Sequence, residues 1–213
     1  MSNVYIRREK QITQWPEYDR LEGGLPNYWY PAMEGRKLRG KVPMQILGEN
    51  VVFVRDGGNV FAIADRCLHR GTPMRFAKRD FPGTLSCIYH GWCYDLKTGN
   101  LVAALTDGPD SPMVGKVSIK TYPAEERFGL IWIYIGEGTP PPLEDDVPEE
   151  FLDPRTVRCI RISEQEGNWR FAVENTFDDA HAFYLHRSAL YGFFSKTPAY
   201  KKGLRIVRNG KWL

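Results

Sequence analysis

No apolar run in the 213-residue chain approaches the length of a membrane-spanning helix. The longest, Phe128 to Ile135, is strand-sized, against the roughly 20 residues a spanning helix needs. A dominant charge is missing too. Twenty-nine basic residues against 26 acidic ones leave a net charge of +3, without the basic stripe that a nucleic-acid binder carries. The stretch Met1 to Trp15 has no apolar core and no small-residue cleavage site, so the expectation is a cytoplasmic protein that is not exported. Cysteine and histidine are scarce, with four of each. In a reducing compartment so few thiols point to metal ligands or inert core positions rather than disulfides. What is present is globular: 42% hydrophobic and 26% charged residues, enough to bury a core.

Between residues 40 and 136, short apolar runs alternate with turn residues. Val42 to Leu47 and Val51 to Arg55 flank Gly48-Glu49-Asn50, and Asp56-Gly57-Gly58-Asn59 leads into Val60 to Ala64, a hairpin signal. Lys116 to Tyr122 and Phe128 to Ile135 read as further strands. Helical periodicity is absent, so the pattern predicts an all-β unit of short antiparallel strands. Residues 136–150, GEGTPPPLEDDVPEE, hold three consecutive prolines, which cannot join a sheet ladder, followed by an acidic run. They read as a stiff linker with a solvated surface. Thr156 to Ser163 then reads as a strand, and Asn168 to about His186 as a helix capped by Asn168. The expected division is a lead-in (1–39), a β domain (40–139), a linker (140–155) and the start of a second domain (156–213), α+β overall.

Two half-sites stand out in the β unit. Cys67-Leu68-His69 and Cys87-Ile88-Tyr89-His90 each offer one thiol and one imidazole from a tight loop, with Gly71 and Gly91 close behind. Such glycines let the backbone turn so that N–H groups face sulfur. Two loops of this kind can hold a [2Fe–2S] cluster asymmetrically, with two cysteines on one iron and two histidines on the other. A structural zinc site competes, but zinc fingers pair Cys with Cys and His with His. The segments CLHRG and CIYHGWCYD resemble the Rieske motif in its oxygenase form. The resemblance implies a cluster held by Cys67, His69, Cys87 and His90. Respiratory Rieske proteins add a disulfide, which this chain lacks: Cys93 and Cys159 read as packed small hydrophobes. Without that disulfide and its associated hydroxyl donors, the expected potential lies near the low end of the Rieske range, about −150 mV. Trp92 and Pro73 are expected to shield the cluster.

Downstream, Asp178, His181 and His186 resemble the mononuclear iron motif of Rieske non-haem iron oxygenases. NYWYPAM, TYPAEERFGLIWIYIGEGTPPPLEDDVP and NWRFAVENTFDDAH are similar to the carbazole-dioxygenase-like branch of terminal oxygenase alpha subunits. By resemblance, His181 and His186 are ligands to Fe(II), and Asp178 bridges to the cluster of a neighbouring subunit. Asp179 reads as a solvent-facing helix residue. Positions five apart on a regular helix differ by about 140°, so a distortion is expected between His181 and His186. Phe177, Phe183, Tyr184, Phe193 and Phe194 are candidates for pocket or core.

The resemblance further implies an α+β fold: an all-β Rieske domain, then the start of a helix-and-sheet (helix-grip-like) catalytic domain. That domain is expected to be truncated, because no carboxylate follows His186 to complete the iron site. The implied function is that of a terminal oxygenase component. It would take electrons from a ferredoxin or flavin reductase, ultimately from NAD(P)H, and use O2 to hydroxylate a small aromatic substrate. The implied assembly is a homotrimer, with beta subunits in some members. The alternative is a Rieske-type ferredoxin, a pure electron carrier that needs no His181/His186 helix.

Overall fold

The computed structural model describes residues 21, 24–157, 163, 166–178, 181, 207–208 and 211–212. The chain divides into two compact units, Met1–Ile162 and Ser163–Leu213. The first is built on a meander of β2 (Lys41–Ile46), β3 (Glu49–Asp56) and β4 (Asn59–Ala64), extended by β8 (Thr121–Tyr122). Tight turns at Leu47-Gly48 and Gly57-Gly58 join the meander strands, with positive φ at all four residues. A second antiparallel sheet has the order β1 (Tyr28–Glu34), β10 (Leu130–Ile135), β9 (Ala124–Arg127). A third holds β5 (Thr84–Ser86), β6 (Trp92–Asp95) and β7 (Leu101–Ala104) in order.

Strand β3 explains how these sheets share their apolar side chains. Successive strand residues point to opposite faces, so Val52 and Val54 enter one core while Val51 and Phe53 enter another. All four are fully buried, each contributing about 1.5–3 kcal/mol. β10 works in the same way. Ile131, Ile133 and Ile135 fill the core against β3, and Leu130 and Trp132 face a smaller cluster with Leu143.

Several expectations change. Residues 28–34, read as lead-in, form β1 and pair with β10 from Tyr28↔Ile135 to Glu34↔Leu130. Pro31 is tolerated there because β1 is an edge strand with a register shift between Pro31 and Met33. The strand expected over Lys116 to Tyr122 pairs with β4 only at Thr121 and Tyr122. Upstream, hydrogen bonds run instead to the start of β7: Leu101 N–H donates to the Val117 carbonyl and Ile119 N–H to the Gly99 carbonyl.

The proline-rich segment lies on the β unit. The Trp29 indole donates to the Pro141 carbonyl (2.9 Å) and the Trp29 N–H to Asp146 Oδ2 (2.8 Å). Leu143 is buried, and Phe151 of the short helix α1 (Glu149–Leu152) packs edge-on to Trp132. Within the acidic run, Glu144 pairs with Arg127, so this run is not merely solvated surface.

In the second unit, helix α2 (Trp169–Phe177) starts at the expected cap, Asn168 Oδ1 accepting from Arg170 N–H at 3.0 Å. The helix expected to continue to His186 stops at Phe177. Asp178 leaves helical geometry at φ −91°, ψ 84°. Its Oδ1 then accepts the His181 N–H at 3.1 Å, the geometry of an N-cap opening a new turn. The break therefore precedes His181. The distortion expected between His181 and His186, together with Asp179, His186, Phe183, Tyr184, Phe193, Phe194, Cys159 and most of the strand expected at Thr156 to Ser163, lies outside the described residues. Among the described residues no helix is long and apolar enough to cross a membrane.

Candidate iron–sulfur site and iron-binding turn

The first ligand loop leaves β4, and the second is the hairpin connection between β5 and β6. Within the first, Cys67 N–H donates to the Thr72 carbonyl and Gly71 N–H to the Cys67 carbonyl, both at 2.8 Å. The second repeats the arrangement: Cys87 N–H to the Trp92 carbonyl (2.8 Å) and Gly91 N–H to the Cys87 carbonyl (3.0 Å). Both turns close on a glycine in the left-handed region, Gly71 at φ +72° and Gly91 at +62°. At Gly91 a Cβ would lie 2.8 Å from Leu105 Cβ, so the turn accepts glycine alone.

These turns bring the four expected ligands of the cluster together. Cys67 and Cys87 are buried free thiols in one core. The imidazoles of His69 and His90 lie edge to face with centroids 4.6 Å apart. Burial pushes the Cys67 thiol pKa up, and the neighbouring Cys87 thiol adds to this. The Tyr94 hydroxyl and, less strongly, the His69 backbone N–H pull the other way. Among the described residues no three His, Cys, Asp or Glu gather tightly enough for a single ion. A two-iron cluster makes no such demand, since each iron takes two protein ligands. The donor set fits such a cluster, and so do two orphans beside the second loop. Ser86 Oγ and Trp92 Nε1 are buried without a partner, and such atoms commonly mark the place of an absent acceptor.

The shield residues separate. Trp92, 6% exposed, stacks on His69 with centroids 4.8 Å apart and planes 7° from parallel. Pro73, by contrast, is exposed and precedes the 3-10 turn Met74–Phe76. Cys93 is fully buried in β6, a packed small side chain as expected.

Sequence reasoning missed Tyr94. Its hydroxyl oxygen accepts the Leu68 N–H at 3.1 Å and lies 3.4 Å from Cys67 Sγ. Toward a metal-bound sulfur, which carries no hydrogen, the hydroxyl can only donate. Burial, chiefly, pushes its pKa far above the ordinary tyrosine value, so it remains a neutral donor. The expectation that the pocket lacks a hydroxyl donor is therefore corrected. Strand alternation carried the signal: in β6, Trp92 and Tyr94 share one face.

In the second unit, His181 Nδ1 is 2.6 Å from the Asp178 carbonyl oxygen. A carbonyl only accepts, so Nδ1 carries the proton and the ring's lone pair sits on Nε2, the atom a metal would take. The Asp178 carboxylate itself stands 3.9 Å from Nδ1 through Oδ2, and its side chain is 54% exposed.

Comparison with known proteins matches the chain in two stretches. Residues 28–123 match the family model of a Rieske [2Fe-2S] domain, and residues 134–199 that of a homotrimeric ring hydroxylase. The terminal oxygenase component of carbazole 1,9a-dioxygenase from Sphingomonas sp is 38% identical over 193 residues, 89% of this chain and 50% of that protein. The solved terminal oxygenase of carbazole 1,9a-dioxygenase from Nocardioides aromaticivorans IC177 shares 40% identity at a TM-score of 0.72, covering 85% of this chain and 49% of that one. A reduced complex between oxygenase and ferredoxin in carbazole 1,9a-dioxygenase is similar at 36% identity and a TM-score of 0.75, over 81% of this chain and 45% of that one. The chain spans about half the length of the curated relatives it matches. A Rieske [2Fe-2S] domain and ring-hydroxylase sequence thus follow one another on a single polypeptide, the arrangement of the Rieske non-haem iron oxygenases, and this chain is similar to the carbazole 1,9a-dioxygenase terminal oxygenases among them.

Proposed function

We propose that the whole protein is the terminal oxygenase component of a multi-component Rieske oxygenase, a cytoplasmic homotrimer that hydroxylates a small aromatic substrate. Electrons come from a ferredoxin or flavin reductase, and ultimately from NAD(P)H. The observation that carries this reading is the joining, on one chain, of two paired Cys/His loops to a turn that gives His181 a metal-accepting Nε2. The electron-carrier alternative leaves residues 134–199, matched to a ring hydroxylase, without a role. Free thiols at Cys67, Cys87 and Cys93 suit a reducing compartment.

In this reading Cys67, His69, Cys87 and His90 hold the [2Fe–2S] cluster, while His181 and His186 supply imidazoles to Fe(II). When bound, the cluster stores single electrons and the mononuclear iron activates O2. The chain's own residues set the conditions. Tyr94 donates to Cys67 Sγ, and Trp92 keeps water from one face of His69. The Asp178 carbonyl holds the Nδ1 proton of His181. Its carboxylate commits Oδ1 to the His181 N–H, leaving Oδ2 for an imidazole N–H from His90 of a second copy in a closed head-to-tail ring. That makes Asp178 a positioning residue between subunits.

Iron counting on the whole protein tests the reading. The parent should hold one iron beyond those of its cluster and show the low-average-g reduced EPR signal of mixed Cys/His ligation. His181→Ala should lose the extra iron and keep the signal; Cys87→Ser should lose the signal. A colourless zinc protein, or iron accounted for entirely by clusters, would overturn it.

A further inference from the structure

The two ligand loops are closed by different forces. The second is anchored by backbone pairing on both sides, Thr84↔Asp95, Leu85↔Tyr94 and Ser86↔Cys93. The first has a strand only on its entry side, where Asp65 N–H donates to the Asn50 carbonyl at 2.8 Å and so continues the β3–β4 ladder. After Thr72 the chain runs into Pro73 and a 3-10 turn, and its next backbone pairing is the single bridge of Lys78 to Ser86 of β5. Between Thr72 and that bridge, a side chain ties the exit back to the entry. The Asp65 carboxylate, 1% exposed, accepts the Arg75 backbone N–H on Oδ1 at 2.7 Å and Arg75 Nε on Oδ2 at 2.5 Å. Arg75 Nη2 adds a further contact to Oδ2. One buried carboxylate thus ties the two ends of the loop that carries Cys67 and His69. Next to it, Met74 is fully buried in the core that holds both cysteines.

We propose that Asp65 is a positioning residue for the iron–sulfur centre: with Arg75 it clasps the first ligand loop shut and fixes Cys67 and His69 for the cluster. The inference rests on the reading of Cys67 and His69 as ligands. A bidentate, charge-assisted contact of this kind is directional, and its removal leaves a buried group unpaired. The second loop is flanked by three residue pairs of ladder, whereas the first joins its entry to its exit through this carboxylate, ahead of the single Lys78↔Ser86 bridge. Because the first loop supplies one thiol and one imidazole, opening the clasp loosens one ligand on each iron.

The test uses the whole cluster-loaded protein. Asp65→Asn keeps the side chain's shape and sets an amide against the guanidinium. We expect cluster release to an iron chelator, followed by visible absorbance, to accelerate at least tenfold, with shifted g-values in the reduced EPR spectrum. Asp56→Asn is the matched control. Asp56 also ties chain segments together, pairing with Arg79 and accepting Gly83 N–H at 2.8 Å, but it holds neither ligand loop. It should lower the urea midpoint comparably and leave release and g-values at parent values. Equal release rates for the two variants, or parent kinetics in Asp65→Asn, would overturn the proposal. Should Asp65→Asn fail to fold, Arg75→Lys keeps the charge and loses the fork. It should still release the cluster faster than the parent, and parent behaviour would count against the clasp. Cys67→Ser reports on the ligand reading separately: retention of the mixed-ligand signal in that variant defeats the ligand assignment whatever Asp65→Asn does.

Discussion

Replacing Tyr94 with Phe removes a single oxygen atom from a site where its two hydrogen bonds have opposite directions. The hydroxyl accepts from Leu68 N–H and donates to Cys67 Sγ. The donated bond favours the more electron-rich sulfur, so it stabilises the reduced cluster over the oxidised one and raises the midpoint potential. Hydrogen bonds to charged groups contribute about 1.5–3 kcal/mol. At 3.4 Å the bond to sulfur is long, and only part of its strength differs between the redox states. A differential of about 1 kcal/mol corresponds to roughly 40 mV, since a tenfold change for one electron is 59 mV. Tyr94→Phe should therefore lower the midpoint by about 40 mV in an EPR-monitored titration. The same change strips Leu68 N–H of its acceptor, at about 1–3 kcal/mol of stability, readable as a lower urea midpoint. Tyr122→Phe is the control, because it breaks a 2.8 Å bond to Glu49 away from the ligand loops and should leave the potential alone. An unchanged or raised midpoint in Tyr94→Phe would refute the donor role of the hydroxyl, whatever happened to stability.

Gly91→Ala forces a side chain into a φ of +62° and against Leu105. It should cost at least about 1–2 kcal/mol and reduce iron loading; full loading with an unchanged urea midpoint would contradict the glycine requirement of the second loop. Glu49 has its pKa lowered, first by the bond from Lys120 and then by that from Tyr122, against the opposing effect of burial. A lowered carboxylate pKa stabilises the fold above the unfolded value and is lost as pH falls through the folded one. Glu49→Gln should be less stable than the parent at pH 7, by under about 1 kcal/mol for so exposed a pair, with the gap closing below the ordinary glutamate value of 4.5. An equal gap in acid would disprove it. Asp146→Ala orphans the Trp29 N–H and should speed hydrogen exchange across residues 141–151 while β3 stays protected. Uniform exchange across both would count against the docking of that segment.

The two Cys/His loops were legible because chemistry confines them: such pairs at fixed spacings, each with a glycine close behind, suit few sites besides an iron–sulfur cluster. The meander was legible because β2, β3 and β4 are neighbours in sequence, joined by turns written in glycine. β1 was not, since its partner is remote and Pro31 breaks its alternation. Nor were β5 to β7, where the ligands and glycines interrupt short strands of four residues or fewer. Asp178 shows a different limit. A composition without proline between Asn168 and His186 reads as continuous helix, but the helix stops where the Asp178 carboxylate takes the His181 N–H, and no periodicity records which N–H a carboxylate will take. Tyr94 and Asp65 were hidden because each acts through partners outside its own element, Tyr94 on Cys67 and Leu68 and Asp65 on Arg75.

The pairing of β1 with β10 also bears on how the chain emerges from the ribosome. Tyr28 aligns with Ile135, more than a hundred residues later. The meander can zip within its own few dozen residues, whereas β1 must wait through most of synthesis of the β unit for its partner strand. Throughout that interval an apolar strand bearing Tyr30, Ala32 and Met33 offers an open edge to other nascent chains. Pro31 and the register shift beside it interrupt that edge midway, which makes it a poor template for intermolecular pairing until residue 135 arrives.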